Sequence, residues 1–397
     1  MLAIILSPVY IMLNVYFLMR LLIWLKNIHI KTKKWYIWTP IIVIYSFFAS
    51  AMIVGFFLPK GSAIKAVLVS IGNYWYGVGL YTAMALLVAD LGRLIVILTK
   101  KNQFRTRKIH VITGILCIIF IISCSTYGVI NAGKIYTTNY EVSIDKKAGD
   151  IKSMNIVLVA DLHMGYNIRQ RQIKQMVEKI NASNPDLVVI AGDIFDNDYD
   201  SLDNPDELIT ILSSINSTYG VYACYGNHDI AEKIMGGFTF RFDKREKRQS
   251  DVRMDAFLEK ANIKLLRDEY VLINNSFYLY GRPDALRPGR DIEVRKTPDE
   301  LVKGLELSKP IIVIDHEPCQ LDELANAGVD LDLCGHTHDG QLFPLNITCR
   351  LIWENAYGYL KKGNMHNIVT SGVGLYGPFM RVGTKAEICN IKVIFQR

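Results

Sequence analysis

The residues of this chain that are equipped for chemistry are histidines, aspartates and an asparagine, and most of them stand just after a short apolar run. The set consists of Asp161, His163, Asp193, Asn227, His228, Asp229, His316, His336 and His338. Imidazole nitrogens with carboxylate and amide oxygens suit Mn, Fe, Zn or a similar divalent ion better than calcium. The set is too large for one ion. Two ions that share a carboxylate would use it, and such a pair can activate a bridging hydroxide and hold phosphoryl oxygens.

The placement of the histidines strengthens this hypothesis. The pair His336-x-His338 would be weak evidence alone, because two ordinary histidines can stand at this spacing. Of the six histidines that follow residue 130, however, five stand at the ends of apolar runs and only His366 does not. Histidines of an ordinary core or surface would not be sorted in this way.

The apolar runs themselves have the composition of strands buried on both faces. The runs are Asn155–Ala160, Leu187–Ala191, Val221–Tyr225, Pro310–Asp315 and Val329–Cys334. Helical patterns separate the first three, at Arg169–Ala182 and about Pro205–Asn216. Parallel strands joined by helices bring their carboxyl ends to one rim, so we expect the polar residues to converge there.

The order of these blocks resembles that of a known family. The blocks are Asp161-x-His163, Gly192-Asp193, Gly226-Asn227-His228-Asp229, His316 and Gly335-His336-x-His338. Together they resemble the calcineurin-like metallophosphoesterase superfamily. The ending through Gln341 and the later Ser371–Gly374 resemble its bacterial membrane-associated YkuE/YaeI-like phosphodiesterase branch. The resemblance covers about Asn155–Arg397. It implies an α/β (α+β) four-layer αββα sandwich with two mixed sheets over residues 154–397.

The resemblance also implies roles for individual residues. One divalent ion (Mn, Zn or Fe) would be held by Asp161, His163, Asp193 and His338. The other would be held by Asp193, Asn227, His316 and His336. Asp193 would bridge the two ions, and His228 would contact the phosphate and protonate the leaving oxygen. Asp229 would either orient His228 or serve in a turn, and the sequence leaves both open.

Some neighbouring residues are harder to assign. Asp339 stands where this branch usually has glycine, and it could change metal preference, hydrogen bonding or loop geometry. Arg282 and Arg381 lie in loops near the rim and could steady a phosphate, but we expect surface salt bridges from them. Residues 230–253 predict either a flap over the core or a strap in which Phe238, Phe240 and Phe242 share a face and contact lipid.

The first third of the chain is different in kind. We expect residues 1–132 to form an all-α transmembrane region whose four segments each reach the roughly 20 apolar residues that a span needs. The segments are Leu2–Leu25, Ile37–Leu58, Ala66–Leu98 and Ile109–Ile130. Asp90 and Arg93 in the third segment either pair within the span or lie at its cytoplasmic end. Residues 133–153 are expected to be a linker containing a short strand, Tyr140–Ile144.

Charge predicts how the segments are oriented. The loops after the first and third segments are the richest in Lys and Arg, so we expect them to be cytoplasmic. Both termini and the catalytic domain would then lie outside the cytoplasm. The net charge of +7 sits largely beside apolar runs, so nucleic acid is not an expected partner. The seven cysteines are odd in number and lack a C-x-x-C motif, which predicts no disulfide framework.

The interpretation that unites these features is a membrane-anchored phosphoesterase with two metal ions. It would cleave a phosphodiester or pyrophosphate bond, in an envelope or lipid-linked substrate, by attack of the bridging hydroxide. One alternative is a phosphoesterase that faces the cytoplasm and acts on nucleotides. Another is a membrane signalling or binding protein with an inactive metal site. The oligomeric state is not predicted.

Overall fold

The computed structural model describes residues 2–28, 34–235, 238–240 and 249–396. It contains two compact units. The N-terminal unit, built mainly from four long helices, is called the helical unit below. The other, built around two large sheets, is called the sheet unit.

The four long helices of the helical unit follow from apolar segments that contain few residues able to end a helix. They are α1 (Leu2–Ile28), α2 (Trp35–Phe57), α3 (Ala63–Leu98) and α4 (Arg107–Ala132). All four are long and apolar enough to cross a membrane, with α1 counted from Ser7. The helical part of the sequence interpretation is therefore confirmed, and every helix end lies within three residues of the predicted one.

Asp90, in the C-terminal third of α3, has a partner on another helix. A carboxylate oxygen of Asp90 lies 2.7 Å from a guanidinium nitrogen of Arg20 in α1, and the hydroxyl of Tyr16 donates to the same carboxylate. The spacing of Asp90 and Arg93 had left two alternatives open, a pair within one helix or a position of both residues at its cytoplasmic end. An inter-helix partner was invisible to that argument, because it depends on how α1 packs against α3.

The first sheet of the sheet unit carries three of the loops that contain predicted metal ligands. Its strands, in spatial order, are β1 (Ile135–Ile144), β14 (Ala386–Phe395), β2 (Ser153–Val159), β3 (Leu187–Ala191), β4 (Val221–Cys224) and β7 (Ile263–Leu265). The pairs from β2 through β7 are parallel, while β14 runs antiparallel to β2. The loops after β2, β3 and β4 therefore leave the sheet at the same edge.

The second sheet carries the other ligand-bearing loops. In spatial order it contains β12 (Gly358–Lys362), β13 (Met365–Val369), β11 (Leu331–Cys334), β10 (Ile311–Ile314), β9 (Phe277–Gly281) and β8 (Glu269–Ile273). The central pairs are parallel, and the two outer pairs are antiparallel. Both sheets are therefore mixed, as the family resemblance implied, and each of the five predicted apolar runs is a strand whose ends lie within two residues of those expected.

The core of the sheet unit lies between the two sheets. Side chains from both contribute to one cluster, including Ile156, Leu158 and Val189 of the first sheet with Ile312 and Leu331 of the second, all fully buried. The helices around the sheets are α5 (Gln170–Ala182), α6 (Pro205–Ser213), α7 (Val252–Lys260), α8 (Pro298–Val302), α9 (Leu321–Ala327) and α10 (Leu345–Ile352). This is the sandwich of two mixed sheets and surrounding helices that the family resemblance implied.

Two stretches differ in detail from the sequence interpretation. Residues 133–153, expected to be a linker with a short strand, contain the ten-residue β1, which pairs along its whole length with β14. The strand is longer than expected because its polar outward residues hid the alternation. Further along, β5 (Lys233–Met235) and β6 (Phe238–Phe240) form a separate two-stranded sheet. The prediction of a flap or a lipid-contacting strap depends on the side chains of Phe238, Phe240 and Phe242 and on residues 241–248. These lie outside the part of the chain that the structure describes.

Candidate metal centre

Every loop that brings a predicted ligand to the centre leaves the carboxyl end of a strand. Asp161 and His163 follow β2, Asp193 follows β3, and Asn227 follows β4 in the first sheet. In the second sheet His316 follows β10, and His336 and His338 follow β11. The loops of both sheets meet there, which is where open α/β sheets place their ligands.

The backbone at these residues is held in an unusual conformation. Asp161, His163, Asp193, His336 and His338 all have positive φ, between 45° and 70°. Residues other than glycine adopt this left-handed backbone conformation at a cost of about 1–2 kcal/mol each. Strain of this kind persists where the surrounding structure over-determines it, and it is concentrated at functional sites.

The first group of ligands consists of Asp161, His163 and His338, which are all buried. The Nε2 atoms of the two histidines lie 3.1 Å apart, and Nε2 of His338 lies 3.7 Å from Oδ1 of Asp161. One atom from each residue can be chosen so that all lie within 4.8 Å of one another. Three side chains therefore converge on a space of the size of one ion.

The second group consists of Asp193, His316 and His336, with Asn227 beside them. Oδ1 of Asn227 lies 3.0 Å from Nε2 of His316 and 2.9 Å from Nδ1 of His336. These two ring nitrogens are 3.1 Å apart. The amide oxygen and two imidazole nitrogens therefore converge in the same way as the first group.

Asp193 stands between the two groups. Its Oδ2 atom lies 3.2 Å from Nε2 of His316 and 3.6 Å from Nε2 of His163. One carboxylate oxygen thus faces a histidine of each group. The structure brings all seven residues that were expected to bind metal close together, with the carboxylate of Asp193 between the two groups.

The hydrogen bonds of the ligands fit a pair of cations. Nδ1 of His316 lies 2.9 Å from the carbonyl oxygen of Ala191, which can only accept, so this nitrogen carries a proton and Nε2 is the atom that would bind a metal ion once it is deprotonated. The facing Nε2 atoms of His163 and His338 can share one proton at most, whereas a cation can accept a lone pair from each. The residues present therefore fit two divalent ions.

Charges within the centre shift several pKa values. Burial raises the pKa of Asp161 to about 6 and lowers that of His336 to about 3. For Asp193, burial favours the neutral form, but the charge of His316 outweighs it and holds the pKa of Asp193 well below the usual range. The same pairing outweighs burial at His316 and raises its pKa. Asp193 is therefore ionised in this centre.

Two residues that the sequence argument missed flank His228. Nδ1 of His228 faces Oδ1 of Asn197, and it lies 3.7 Å from Oδ1 of Asp196. The same Asp196 oxygen lies 3.7 Å from Nδ1 of His163. Both residues belong to the loop after Asp193, so a carboxylate three residues beyond a predicted ligand was the signal that could have found them.

The structure supports the turn role for Asp229. Its Oδ1 accepts the backbone N–H of Phe195 and its Oδ2 accepts the backbone N–H of Gly226, both at 2.8 Å. These two bonds tie the loops after β3 and β4 together, and burial raises the pKa of the carboxyl to about 7. The group that faces the ring of His228 is Asn197, so Asp229 acts on the loop and not on the ring.

Two arginines expected on the surface are buried instead. Arg282 is fully buried and lies 2.6 Å from Oδ2 of Asp315, the residue before His316. Arg381 is also fully buried, and its guanidinium donates to the carbonyl oxygens of Ser371, Gly374 and His338. The expectation of surface salt bridges was wrong, because a loop in the sequence does not reveal what folds over it. Both arginines hold the loops that carry the ligands.

Asp339 belongs to the turn that follows the last ligand. Its φ of 50° explains why glycine suits this position, and its N–H donates to Oγ1 of Thr337 at 3.2 Å. The carboxylate lies 3.6 Å from a guanidinium nitrogen of Arg350 in α10. Asp339 therefore pairs the turn after His338 with α10, and it is not among the seven predicted metal ligands.

Comparisons with known proteins agree with this geometry. A family model described as calcineurin-like phosphoesterase matches residues 154–340. An uncharacterized metallophosphoesterase of Aquifex aeolicus is 30% identical over 260 residues, which cover 64% of this chain and 90% of that protein. The uncharacterized metallophosphoesterase YkuE of Bacillus subtilis is 27% identical over 267 residues, covering 64% and 84%.

A relative with a membrane region is also similar. The "transmembrane protein with metallophosphoesterase domain" of Danio rerio is 29% identical over 288 residues. The match covers 70% of this chain and 62% of the zebrafish protein, so it spans less than two thirds of that relative.

Proposed function

Because the chain belongs to the calcineurin-like metallophosphoesterases, we propose that it is a membrane-anchored hydrolase that cleaves a phosphodiester or pyrophosphate bond with two divalent metal ions. Its motifs predicted this family and the YkuE-like branch, and both predictions are confirmed. The observation that carries the proposal is the position of Asp193, whose Oδ2 faces His163 of one ligand group and His316 of the other. A shared carboxylate is what a two-metal centre requires.

When bound, two such ions supply a nucleophile from water at neutral pH and positive charge beside the phosphoryl oxygens. The protein supplies the rest. Burial lowers the pKa of His228 to about 4, so its ring is neutral until an anionic phosphate comes near and favours the charged form. Asn197 faces Nδ1 of this ring and leaves Nε2 for the substrate. His228 is thus the proposed donor to the leaving oxygen.

We propose a lipid-linked or envelope molecule as the substrate class, because the same chain carries four apolar helices long enough to span a membrane. The excess of Lys and Arg after α1 and α3 favours a catalytic unit outside the cytoplasm. A nucleotide substrate in the cytoplasm would require the opposite orientation. A reporter that is active on only one side of the membrane, fused to the C-terminus, distinguishes the two.

The proposed activity is tested with the full chain in detergent. The protein is stripped of metal and then supplied with Mn, Zn, Fe or Mg, and hydrolysis of bis-p-nitrophenyl phosphate is measured. We expect metal-dependent turnover that is lost in Asp193→Asn and kept in Asp299→Asn, an exposed aspartate of α8. No turnover and no bound metal would favour a binding protein instead. No turnover despite two bound ions would indicate that the soluble diester is not accepted.

A further inference from the structure

Helix α10 (Leu345–Ile352) turns its apolar side away from the protein, whereas a surface helix of a water-soluble protein normally turns that side towards the core. At 100° per residue, Leu345, Ile347, Leu351 and Ile352 fall within an arc of about 160°. All four are exposed, with Leu351 at 82% and Ile352 at 73%. A helix that packs on a core normally buries such a stripe. In α10 no residue is buried.

The side of α10 that meets the protein is polar. Sγ of Cys349 lies 3.6 Å from the carbonyl oxygen of Thr337, and Arg350 pairs with Asp339 at 3.6 Å. A Cβ at Gly340 would lie 2.4 Å from the backbone nitrogen of Asn346, so the start of the helix is packed closely on the turn His338–Gly340. The polar residues thus anchor the helix, and the apolar stripe is what it presents outward.

The outward face has the composition of a helix that lies in a membrane interface. Such helices combine a stripe of large aliphatic side chains with a basic residue at its polar edge. Arg350 stands at that edge with 62% of its side chain exposed. Phe343, just before the helix, adds a further exposed ring, at 42%. Isolated exposed apolar residues are common, but a contiguous set marks an interaction site.

The rest of the chain identifies the partner. The four apolar helices are long and apolar enough to anchor the protein in a membrane, and only Gly133 and Lys134 separate the end of α4 from the start of β1. A bilayer is therefore the apolar phase to which the sheet unit is always tethered. We propose that the outward face of α10 docks on the lipid bilayer and so presents a lipid-borne phosphate ester to the metal centre.

The position of α10 explains how docking would serve the site. The helix begins five residues after Gly340, the end of the turn that holds His338, and its C-terminal neighbour Trp353 lies with its ring 5.3 Å from that of His336. A surface that binds α10 is therefore held beside two of the ligands. This second part of the inference rests on the proposed hydrolysis, whereas the docking rests only on the membrane anchoring of the four apolar helices.

Docking is tested by photocrosslinking of the full chain in native membranes. Benzoylphenylalanine is incorporated in place of Leu351 or, as a control, in place of Leu307, an apolar residue of the sheet unit that is 50% exposed. After illumination the intact chain is weighed by mass spectrometry. We expect phospholipid adducts from position 351 and none from position 307. A covalent dimer, an adduct with another protein, or the absence of any adduct at 351 would overturn the proposal.

The consequence for catalysis is tested with matched triple variants. Ile347→Ser/Leu351→Ser/Ile352→Ser removes the stripe, and Val252→Ser/Val294→Ser/Leu307→Ser removes three exposed apolar residues elsewhere. We expect the stripe variant to keep its turnover of bis-p-nitrophenyl phosphate and to lose about ten-fold or more in kcat/KM on a phosphodiester lipid in vesicles, since its apolar contact is gone. The control should keep both. If the stripe variant kept the kcat/KM of the unaltered protein on the lipid substrate as well as on bis-p-nitrophenyl phosphate, docking would have no catalytic role. The crosslinking experiment decides whether α10 docks even if neither substrate is cleaved.

Discussion

Nε2 of His163 lies 3.1 Å from Nε2 of His338, although the two residues are 175 positions apart in the chain. Two lone pairs, or two N–H groups, would repel each other at this distance. The contact is therefore stable only when one proton or a cation lies between the two nitrogens. This relationship makes the first ligand group dependent on His338.

We therefore expect His338→Ala to lose one of two bound metal ions. The metal content of the purified full chain, measured by elemental analysis, should fall from two ions per chain towards one. The rate of hydrolysis should drop by about 100-fold or more, because even the loss of residues that only support ligands costs about 10–100-fold in activity. The matched control is His366→Ala, a histidine bonded to Tyr359 and Ser143 outside the centre. An unchanged metal content in His338→Ala would contradict the assignment.

Metal affinity should fall as the pH is lowered. The pKa of Asp161 is raised to about 6 by burial, and that of His316 is raised by Asp193 against the effect of burial. Both groups keep their protons to a higher pH than usual, and a metal ion must displace those protons. In the metal-free protein these groups contribute stability that is present at low pH and is lost as the pH rises through their folded pKa values.

The stabilisation that metal adds to the protein should accordingly grow between about pH 5.5 and 7.5. Thermal unfolding of the full chain in detergent, with and without Mn, measures this difference across the range. Asp193→Asn serves as the control, because it should weaken the dependence together with the binding. A metal-induced shift of equal size at both ends of the range would show that no proton is displaced.

Asn197 and Asp229 should have separable effects. Asn197→Ala removes the group that faces Nδ1 of His228, so we expect turnover to fall and its pH profile to shift with metal content unchanged. Asp229→Asn replaces an oxygen that accepts a backbone N–H with an amide donor, which should cost about 1–3 kcal/mol of stability. If Asp229→Asn shifted the pH profile and Asn197→Ala did not, Asp229 and not Asn197 would be the residue that orients the ring of His228.

Gly372 should be indispensable for the position of Asp161. A Cβ at Gly372 would lie 2.7 Å from Cβ of Asp161, so Gly372→Ala should displace this ligand and weaken metal binding. Gly363→Ala is matched to it, since Gly363 also has a positive φ but has nothing within 4 Å of its Cβ position. Both variants should lose about 1–2 kcal/mol from backbone strain. Only Gly372→Ala should lose metal, as measured by titration with Mn.

Arg282 should contribute strongly to stability without being a ligand. Arg282→Met leaves Asp315 buried with one of its two arginine partners missing, and breaking a buried pair typically costs about 3–5 kcal/mol. The control Arg253→Met breaks exposed pairs with Asp200 and Asp251, which should cost about 1 kcal/mol at most. Unfolding temperatures of the two variants compare these effects. Equal losses would show that the buried pair is no stronger than a surface pair.

The sequence predicted the helices, the strands and the ligand residues because each leaves a local signature. Continuous apolar runs such as Leu187–Ala191 identify buried strands, and the polar residue that follows each run lies at the strand end whatever the rest of the fold does. The strand β1 was underestimated because it forms an edge of its sheet, where one face is solvated and the apolar signal is weak.

The sequence by itself thus determined which residues could bind metal, in what order they occur, and that a membrane region precedes them. The tertiary structure decided that Asn197 and not Asp229 faces His228, that Arg282 and Arg381 are buried, and that α10 turns its apolar side outward. These relationships join residues on different strands and loops. Hydrophobic periodicity describes one element at a time, so contacts between elements arise only when the chain is packed in three dimensions.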